Sequence, residues 1–435
     1  MHAEKVIAIF DVGKTNKKLL LFNEQYALVS EHTVRLPETV DEDGFNCEDI
    51  HGLTEWLINS FEDLSLNDKV RLTAINFSAY GASFVNIDAV GQPLTPLYNY
   101  LKPYPELLQQ QLYNRYGGEA RFSLVTASPA LGSLNSGLQL YRLQQEQPTV
   151  FEKIAYSLHL PQYLSLVLSG SRNTDITSIG CHTQLWDFTT DQYHIWVQQE
   201  GLLPKFAPMK SGDMLAANAP GRLPIGVGLH DSSAALIPYL LQFKEPFVLI
   251  STGTWCISMN PFNDDPLTEG ELKQDCLCYM TYTGKPVKAS RLFAGNDHEA
   301  GVKRIAADFK TTAEHVLNVR YEESIVNACR SLHRNGSVGV GNISVAYHRL
   351  LIDIMEQQVK SVKLVLGSRG VKHIFVDGGF SKNEIYMRLL AKAFPLHIVS
   401  AASVPHATAM GAALAIHSHW NSLALPQNLV TIKQY

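Results

Sequence analysis

The chain has 435 residues, more than one compact core usually holds, and this length predicts two or three domains. Hydrophobic residues make up 46% and charged residues 18%, a balance typical of globular proteins that excludes a disordered chain. The net charge of −5 excludes a strongly basic surface, and with it non-specific binding to nucleic acid. No apolar run approaches the roughly 20 residues that a membrane span needs, so we expect no membrane partner.

The N-terminal sequence and the cysteines predict a cytoplasmic protein. Strand-like residues 6–10 follow the first few residues directly, without the pattern of a signal peptide. Six cysteines in a chain of this length do not indicate a disulfide framework. Cys276 and Cys278 are too close together for the usual zinc-binding spacing, and no second pair accompanies them. We therefore expect a soluble protein in a reducing compartment.

The first predicted element is a β-hairpin, Val6–Phe22, with polar residues at its turn. The turn consists of Asp11, Val12, Gly13, Lys14, Thr15 and Asn16. It is either an ordinary hairpin turn or a phosphate-binding loop. In the second interpretation the backbone amides and polar side chains donate to phosphate oxygens, Lys14 adds a positive charge, and Asp11 holds Mg²⁺ through water. The pattern of a P-loop is absent.

Strands and helices then alternate along the chain, which predicts an α/β fold. The predicted strands are Val70–Phe77, Phe84–Asp88 and Ile374–Asp377, and the predicted helices are Tyr104–Tyr116, Leu138–Glu146, Leu160–Leu168, Asp231–Leu241, Val345–Leu366, a helix that begins at Ser381 or Asn383 and ends at Phe394, and Ala407–His419. Pro238 lies within the fourth helix and predicts a kink or an earlier end. Asn335–Gly341 is rich in glycine and predicts a loop.

His230-Asp231-Ser232 stands where the fourth helix begins. An aspartate at this place commonly caps the helix by accepting hydrogen bonds from its first amides. A carboxylate at a helix start that faces a cleft can also accept a proton from an attacking hydroxyl, as phosphoryl transfer requires. The two roles are compatible.

A second hairpin, Phe247–Met259, repeats the plan of the first, with Ser251-Thr252-Gly253-Thr254 at its turn. Either hairpin alone is a weak signal, but one near the start of each half of the chain predicts two related domains that face a common cleft. The domain boundary then falls within Gln242–Pro246. The second turn is either structural or grips the same polyphosphate from the opposite domain.

Asp377-Gly-Gly379-Phe-Ser-Lys-Asn383 joins a strand to a helix. It is either an ordinary turn or a place where glycines let an adenosine approach the backbone closely. The dinucleotide-binding pattern of three spaced glycines is absent. His298, His417 and His419 lack a third partner at the spacing of metal ligands, which favours structural roles for them.

Together and in this order, the four polar segments resemble those of the FGGY carbohydrate kinases, which belong to the actin, hexokinase and sugar-kinase superfamily. The resemblance extends over essentially the whole chain. Within the family, Leu134–Tyr141, Leu160–Leu164 and Asn173–Leu185 are most similar to rhamnulose kinases. The resemblance implies two actin-like (ribonuclease H-like) α/β domains, 1–243 and 244–435, with the catalytic cleft between them.

The resemblance also implies roles for individual residues. Asp231 is then the catalytic base and Asp11 the acid associated with Mg²⁺. The implied sugar-binding residues are Gly81, Ser83, His230, Ser232 and Arg291. The implied ATP-binding residues are Gly13, Lys14, Thr15, Asn16, Thr252, Gly253, Thr254, Glu299, Gly379 and Asn383.

The function implied is ATP-dependent phosphorylation of a ketose or deoxyketose similar to rhamnulose or fuculose. Three departures from the family pattern leave the sugar open: the Lys-Thr-Asn sequence of the first turn, Ser83 where rhamnulose kinases tend to carry an acid, and the short chain. The alternatives are a kinase for xylulose, ribulose or glycerol, and a non-catalytic regulator that binds ATP or sugar. Retention of Asp11 and Asp231 argues against the regulator. A homodimer is neither indicated nor excluded.

Overall fold

A computed structural model describes residues 3–81, 83–217, 221–333 and 341–435 of the chain. Most of the glycine-rich segment predicted as a loop, residues 334–340, lies outside the described residues. Within the described part, no helix combines the length and the hydrophobicity that crossing a membrane requires.

The N-terminal half contains a five-stranded sheet, four two-stranded sheets and nine α-helices among its described residues. The strands are β1 (Glu4–Val12), β2 (Lys17–Asn23), β3 (Leu28–Val34), β4 (Glu38–Val40), β5 (Asn46–Glu48), β6 (Val70–Ala79), β7 (Phe84–Ile87), β8 (Tyr156–His159), β9 (Thr174–Asp175), β10 (Trp186–Asp187), β11 (Gln192–Tyr193), β12 (Met209–Lys210) and β13 (Leu229–His230). The helices are α1 (Ile50–Ser65), α2 (Glu106–Arg115), α3 (Glu119–Val125), α4 (Ser136–Glu146), α5 (Pro148–Lys153), α6 (Leu160–Ser169), α7 (Ile176–Ile179), α8 (Ile195–Gln199) and α9 (Asp231–Gln242).

The C-terminal half is built around one seven-stranded sheet. Its strands are β14 (Phe247–Thr252), β15 (Cys256–Asn260), β16 (Cys276–Met280), β17 (Pro286–Leu292), β18 (His373–Gly378), β19 (Ile398–Ser403) and β20 (Thr431–Gln434). The helices are α10 (Glu269–Leu272), α11 (Ala294–Asp308), α12 (Ala313–Leu317), α13 (Glu323–His333), α14 (Ile343–Leu366), α15 (Glu384–Ala393), α16 (Ala407–Ala415) and α17 (His417–Trp420).

The two large sheets share one plan. In the first, the order is β13-β6-β1-β2-β3, with β1 antiparallel to β2 and parallel to β6. In the second, the order is β16-β17-β15-β14-β18-β19-β20, with β14 antiparallel to β15 and parallel to β18. Each sheet therefore places its first hairpin in the middle, as expected from the repeated hairpin in the sequence.

Two helices, α9 and α16, lie between the sheets and join them into one core. Ile7 and Ile9 of β1, Leu249 of β14 and Ala412 of α16 belong to the same buried cluster. Both faces of β1 are covered, which explains why Val6–Phe10 is an unbroken apolar run without alternation. At the crossing of the two helices, a Cβ atom on Gly411 would lie 1.8 Å from the Ala234 carbonyl oxygen, so only glycine permits this approach.

Most predicted elements are present within one to three residues of their expected ends, and three details are corrected. Helix α9 continues through Pro238 to Gln242 instead of ending early. The proline leaves the Ala234 carbonyl without its helical donor, and Gly411 of α16 packs against that carbonyl. The helix predicted over Ala407–His419 is divided at Ile416 into α16 and α17. The third correction, the N-cap of α9, concerns the site and is described below.

Candidate active site

The parallel strands of the first sheet bring three of the predicted site segments to one edge. β1 pairs in parallel with β6, and β6 pairs in parallel with β13, with Val12 opposite Ala79 and Ala79 opposite His230. The carboxyl ends of parallel strands meet at the same edge of a sheet, where ligands commonly bind. Asp11, Gly81 and Asp231 stand at or next to these strand ends and therefore share one edge.

Asp11 is half-buried at this edge and has a perturbed pKa. The Thr408 hydroxyl at the start of α16 donates a hydrogen bond to Asp11 Oδ2 at 2.8 Å. Burial is the main cause that raises the pKa of Asp11 to about 6, and the negative charge of nearby Asp231 raises it further. A cation beside Asp11 would offset both effects. Mg²⁺ is commonly held by one or two carboxylates together with phosphates and water, so this site fits it.

Asp231 is the first residue of α9 and not its N-cap, which corrects the sequence prediction. His230 takes the cap position with extended backbone angles and makes no side-chain capping bond. The Asp231 Oδ1 atom accepts hydrogen bonds from the Ser232 amide at 2.6 Å and the Ser232 hydroxyl at 3.2 Å. The helix begins at Asp231, as predicted, but His230 at the end of strand β13 takes the cap position. The Asp231 carboxylate therefore remains partly exposed at the sheet edge.

His230 supports the Asp231 carboxylate from the interior. Its Nε2 atom lies 3.2 Å from Asp231 Oδ1, and its amide donates to the Thr177 hydroxyl at 2.9 Å. Burial lowers the pKa of His230, although Asp231 opposes this effect. The imidazole is therefore neutral at neutral pH, and Nε2 has to carry the proton because the carboxylate only accepts. This contact holds Asp231 in one orientation.

Gly81 and Ser83 lie close to this pair, on either side of Ala82, which is outside the described residues. A Cβ atom on Gly81 would lie 2.8 Å from His230 Cδ2, so a side chain here would displace His230. The buried Ser83 hydroxyl donates to the Tyr98 carbonyl at 2.9 Å. That bond gives Ser83 a structural partner within the chain.

The first turn is closed by a hydrogen bond from the Gly13 amide to the Asn16 carbonyl at 3.0 Å. Lys14 Nζ lies 2.9 Å from Glu38 Oε1, and Arg35 Nε donates to Asn16 Oδ1 at 3.1 Å. Thr15 is exposed at the tip. The turn that follows Asp11 thus carries the Lys14 ammonium, which is paired with Glu38, and an exposed Thr15.

A buried ion pair, which sequence analysis did not predict, contacts the first turn from the protein interior. Lys17 is 2% exposed and pairs with Glu48, and it also donates to the Lys14 carbonyl at 3.0 Å. Tyr80 donates to Glu48 Oε2 at 2.9 Å. Burial raises the pKa of Tyr100, and the charge of Asp231 raises it further. Thr408 and these residues make contacts between distant segments, for which the sequence carries no local signal.

The second predicted nucleotide region forms a cleft of about 470 Å³ in the C-terminal half. Thr252 at the end of β14 pairs with Gly378 at the end of β18, which again places two turns at one sheet edge. The predicted residues that line the cleft are Thr252, Gly253, Thr254, Glu299, Gly379 and Asn383. All six residues of this half that were predicted to bind ATP therefore line the same cleft.

The glycines of this cleft form a cradle. A Cβ atom on Gly379 would meet no atom within 4 Å, and one on Gly253 would meet only the Trp255 carbonyl at 3.9 Å, so the cleft lies open above both. Gly378 has φ +91 and lies against Thr252, where a Cβ would be 2.0 Å from the carbonyl oxygen. A flat ligand can approach the backbone here, and the shape fits a nucleotide.

Polar side chains hold the walls of this cleft in place. The Thr252 hydroxyl donates to the Asp377 carbonyl at 2.6 Å and accepts from the Phe380 amide at 3.0 Å. Asn383 caps α15 by accepting from the Tyr386 amide at 3.0 Å, and it donates to the Tyr347 hydroxyl at 2.7 Å. Both predicted residues therefore have structural partners that fix their orientation.

Arg291 and Glu299 are separated by the structure. Two guanidinium nitrogens of Arg291 contact Asp275, at 3.1 and 2.7 Å, and the guanidinium lies 5.4 Å from the Trp255 ring. Arg291 also lies near Tyr279, whose ring centroid is 5.6 Å from that of His230. Glu299 is exposed, pairs with Lys303, and lines the cleft of the C-terminal half.

The two sheet edges are connected through the central helices. Tyr239 of α9 donates to Asp377 Oδ2 at 2.7 Å, and Thr408 of α16 contacts Asp11. We therefore expect a movement of α9 or α16 to shift residues at both sheet edges. The arrangement places two carboxylates at one edge and a nucleotide-sized cleft at the other.

Comparison with known proteins identifies the family. The family model "FGGY family of carbohydrate kinases, N-terminal domain" matches residues 6–237, "Carbohydrate kinase FGGY, C-terminal domain" matches 244–328, and "FGGY family of carbohydrate kinases, C-terminal domain" matches 344–418. A rhamnulokinase of Yersinia pestis (strain Pestoides F) is 22% identical over 89% of this chain and 85% of its own length. A rhamnulokinase of Mannheimia succiniciproducens is 24% identical over 58% of this chain, and this match spans about half of that protein, 52%.

The fold is also that of a solved carbohydrate kinase from Novosphingobium aromaticivorans. The TM-score is 0.81 at 22% identity, over 99% of this chain and 94% of that one. The likeness confirms the expected α/β architecture of two actin-like domains. The N-terminal family model alone matches residues 6–237, which is more than half of the chain. The protein therefore belongs to the FGGY family of carbohydrate kinases and is an ATP-dependent phosphotransferase acting on sugars.

Proposed function

We propose that this kinase phosphorylates an uncharged ketose or deoxyketose similar to rhamnulose or fuculose, with Asp231 as the base and Mg²⁺ beside Asp11. The observation that carries the proposal is the convergence of Asp11 and Asp231 at one sheet edge, where the charge of Asp231 acts on Asp11. One of them accepts a proton and the other faces a metal ion, so the edge provides both requirements of phosphoryl transfer. We also propose 243/244 as the boundary between the two domains.

Each residue at the first edge then has a defined task. Asp231 accepts the proton of the attacking hydroxyl at its carboxylate, while His230 Nε2 and the Ser232 amide hold that carboxylate in place. Gly81 leaves the space next to His230 free of a side chain. The turn around Gly13 offers amides and the Lys14 charge to phosphate oxygens. When bound, Mg²⁺ neutralises charge on the phosphates.

The second edge holds the nucleotide. Gly253 and Gly379 leave the backbone accessible in the cleft of about 470 Å³, while Thr254 and Asn383 line it with polar groups. The closing of the two edges on both substrates would exclude water from the transferring phosphoryl group. The site is thus suited to transfer to a sugar hydroxyl and not to water.

The charges at the sugar side favour an uncharged acceptor. Arg291 is a cation of this region, and Asp275 already binds it through both carboxylate oxygens. His230 is neutral because burial lowers its pKa. Asp231 contributes a negative charge that would repel a sugar acid. The match to rhamnulokinases favours a deoxyketose among the uncharged sugars, and xylulose, ribulose and glycerol are the alternatives.

A panel of acceptors tests this proposal. ADP release with ATP and Mg²⁺ is measured for L-rhamnulose, L-fuculose, D-xylulose, D-ribulose, glycerol and D-gluconate. We expect the highest kcat/KM for one of the two deoxyketoses and the lowest for gluconate. The best rate with xylulose, ribulose or glycerol would replace the sugar while keeping the mechanism. Efficient turnover of gluconate, or ligand binding without turnover of any acceptor, would contradict the proposal.

A further inference from the structure

We propose that His182, which no part of the family resemblance assigns, recognises a hydroxyl of the sugar that is not the phosphorylated one. This inference rests on the proposed function, because its ligand is the acceptor sugar of that site. It concerns a residue that determines which sugar binds, and it follows from a buried imidazole that lacks partners.

The imidazole of His182 is buried, and among the described residues neither of its ring nitrogens has a hydrogen-bond partner. The residue is 8% exposed, and both Nδ1 and Nε2 are inaccessible to solvent. Buried polar groups without partners are rare in native proteins because they lose their bonds to water without compensation. Such a group is commonly explained by a ligand or a functional constraint.

A second buried histidine in the same half shows the ordinary situation. His159 lies 2.9 Å from the Ser136 hydroxyl through its Nε2 atom, and its ring packs on Phe84 with 4.1 Å between centroids. His159 thus has a structural partner, whereas His182 has none. The contrast indicates that burial alone does not account for His182.

His182 lies next to the groups that define the sugar side. Its ring centroid is 6.1 Å from that of His230 and 6.2 Å from that of Tyr279. The preceding residue, Cys181, would lie 3.4 Å from a Cβ on Gly81. His182 therefore lies next to His230 and directly follows the residue that packs against Gly81.

The backbone at His182 is fixed, which gives the ring a defined position. Asn135 donates to the His182 carbonyl at 2.8 Å, and the Thr183 amide donates to the Cys181 carbonyl at 2.8 Å. The buried Thr183 hydroxyl donates to the Ile179 carbonyl at 2.6 Å. A preorganised group loses little conformational freedom when it binds a ligand.

The chemistry of the ring matches a hydroxyl. Burial, with smaller contributions from His230 and Arg291, keeps the pKa of His182 well below its usual range, so the ring is neutral. A neutral imidazole has one donor and one acceptor. A sugar hydroxyl can pair with either nitrogen, by accepting from the N–H or by donating to the bare nitrogen, whereas an ionised carboxylate can pair only with the N–H.

Three variants test the inference. His182→Leu removes both polar atoms, and His182→Asn restores a donor and an acceptor. His397→Leu is the matched control, because His397 also has a buried ring nitrogen without a partner among the described residues. It precedes β19 at the end of that strand opposite to the cleft. Steady-state kinetics are measured for the sugar and for ATP, together with melting temperatures.

We expect His182→Leu to raise the sugar KM about tenfold, the loss of roughly one hydrogen bond, with the ATP KM unchanged. The melting temperature without sugar should not fall, because an unsatisfied polar group is removed. His182→Asn should recover part of the sugar affinity, and His397→Leu should leave the sugar KM unchanged. A variant His182→Leu with wild-type sugar KM would overturn the inference, and so would one whose only change is a lower melting temperature.

Single-deoxy analogues of the accepted sugar identify the hydroxyl. In the wild type, each analogue that lacks a contacted hydroxyl loses affinity. For one analogue, His182→Leu should cause no further loss, since the contact is already missing. If the loss of affinity caused by His182→Leu adds to the loss caused by every analogue, His182 does not contact a sugar hydroxyl directly. If the wild type turns over no sugar, the proposed function is wrong. If the wild type turns over a sugar and His182→Leu has the same sugar KM, only the proposed role of His182 is wrong.

Discussion

At the scale of single residues, the site depends on carboxylates whose environments differ. Asp11 is held by Thr408 and has its pKa raised to about 6, chiefly by burial. Asp231 is partly exposed and is oriented by His230 and the Ser232 amide. A cation would compensate the charge of Asp11, whereas the Asp231 carboxylate is partly exposed and accessible to a sugar hydroxyl. This difference supports the roles proposed for the two carboxylates.

Lys14 is the residue at which the first turn departs from the common family pattern. In the ligand-free structure its Nζ atom contacts Glu38 at 2.9 Å, and a partly exposed ion pair of this kind is weak and easily exchanged. We expect Lys14→Met to lower kcat and raise the ATP KM about tenfold or more, the value of a charge-assisted hydrogen bond. The sugar KM should change little in steady-state kinetics.

Glu38→Gln is the control for Lys14, because it removes the nearer of the two carboxylates beside the lysine, Glu38 at 2.9 Å and Glu48 at 3.9 Å. The ATP KM of this variant should stay the same or fall. Unchanged ATP kinetics in Lys14→Met would show that the lysine serves only its ion pair with Glu38. The turn would then bind phosphate through backbone amides alone.

Asp175 is a buried carboxyl that makes stability depend on pH. It caps α7, accepts from Thr177 and from the Ser178 amide at 3.1 Å, and burial raises its pKa to about 7. Because its folded pKa lies above the unfolded value, the folded state binds the proton more tightly. The stability gained from this proton is complete below about pH 4 and is lost as the pH rises through about 7.

Between pH 5.5 and 7, wild-type stability should therefore fall by up to about 1.4 kcal/mol per pH unit relative to Asp175→Asn, which has no proton to lose. Melting temperatures at the two pH values measure this difference. Asp187→Asn is the control, because hydrogen bonds lower the pKa of Asp187 and it is ionised throughout this range. Parallel pH profiles for wild type and Asp175→Asn would refute the prediction.

At the scale of elements, the crossing of α9 and α16 connects the base to the C-terminal half. Asp231 begins α9, and Gly411 of α16 lies against the Ala234 carbonyl of α9. We expect Gly411→Ala to destabilise the protein by about 1–3 kcal/mol, because the new methyl group overpacks the crossing. It should also lower kcat, since α9 has to shift and carries Asp231 with it.

Thermal unfolding and steady-state kinetics measure both effects. Gly270→Ala is the matched control, because a Cβ at this helical position would meet its nearest atom at 4.0 Å. It should leave activity unchanged and slightly raise the melting temperature, since alanine favours a helix over glycine. A Gly411→Ala protein with wild-type stability would disprove the close crossing.

The elements that sequence analysis predicted well are those with local signals. Both hairpins, and the start of α15 after Asn383, one of the two positions predicted, follow from apolar periodicity and from residues adjacent in sequence. Helix α9 begins at Asp231 as predicted, but the capping role predicted for Asp231 was wrong because strand β13 continues to His230 and meets the helix without a turn. The contacts of Asp11 with Thr408 and of Lys17 with Glu48 join distant segments, so only the fold brings them together. His182 has no distinguishing sequence context at all.

At the scale of the whole molecule, the duplicated sheets present one edge each, and the proposed reaction requires that these edges close on both substrates. Closure excludes water, so ATP hydrolysis without sugar should be slow compared with the sugar-dependent rate. Small-angle scattering should show a smaller radius of gyration with sugar and a non-hydrolysable ATP analogue together than with neither. A profile unaffected by both ligands would rule out closure.

The central claim is that Asp231 activates a sugar hydroxyl for phosphoryl transfer from ATP. Phosphorus NMR of the reaction mixture tests it most directly, because it distinguishes a sugar phosphomonoester from inorganic phosphate. For the wild type we predict one phosphomonoester formed in equal amount to ADP and only with sugar present. For Asp231→Asn we predict intact ATP binding and a rate lower by about 10²–10⁴-fold. Inorganic phosphate formed independently of sugar, or near-wild-type sugar phosphorylation by Asp231→Asn, would contradict the account.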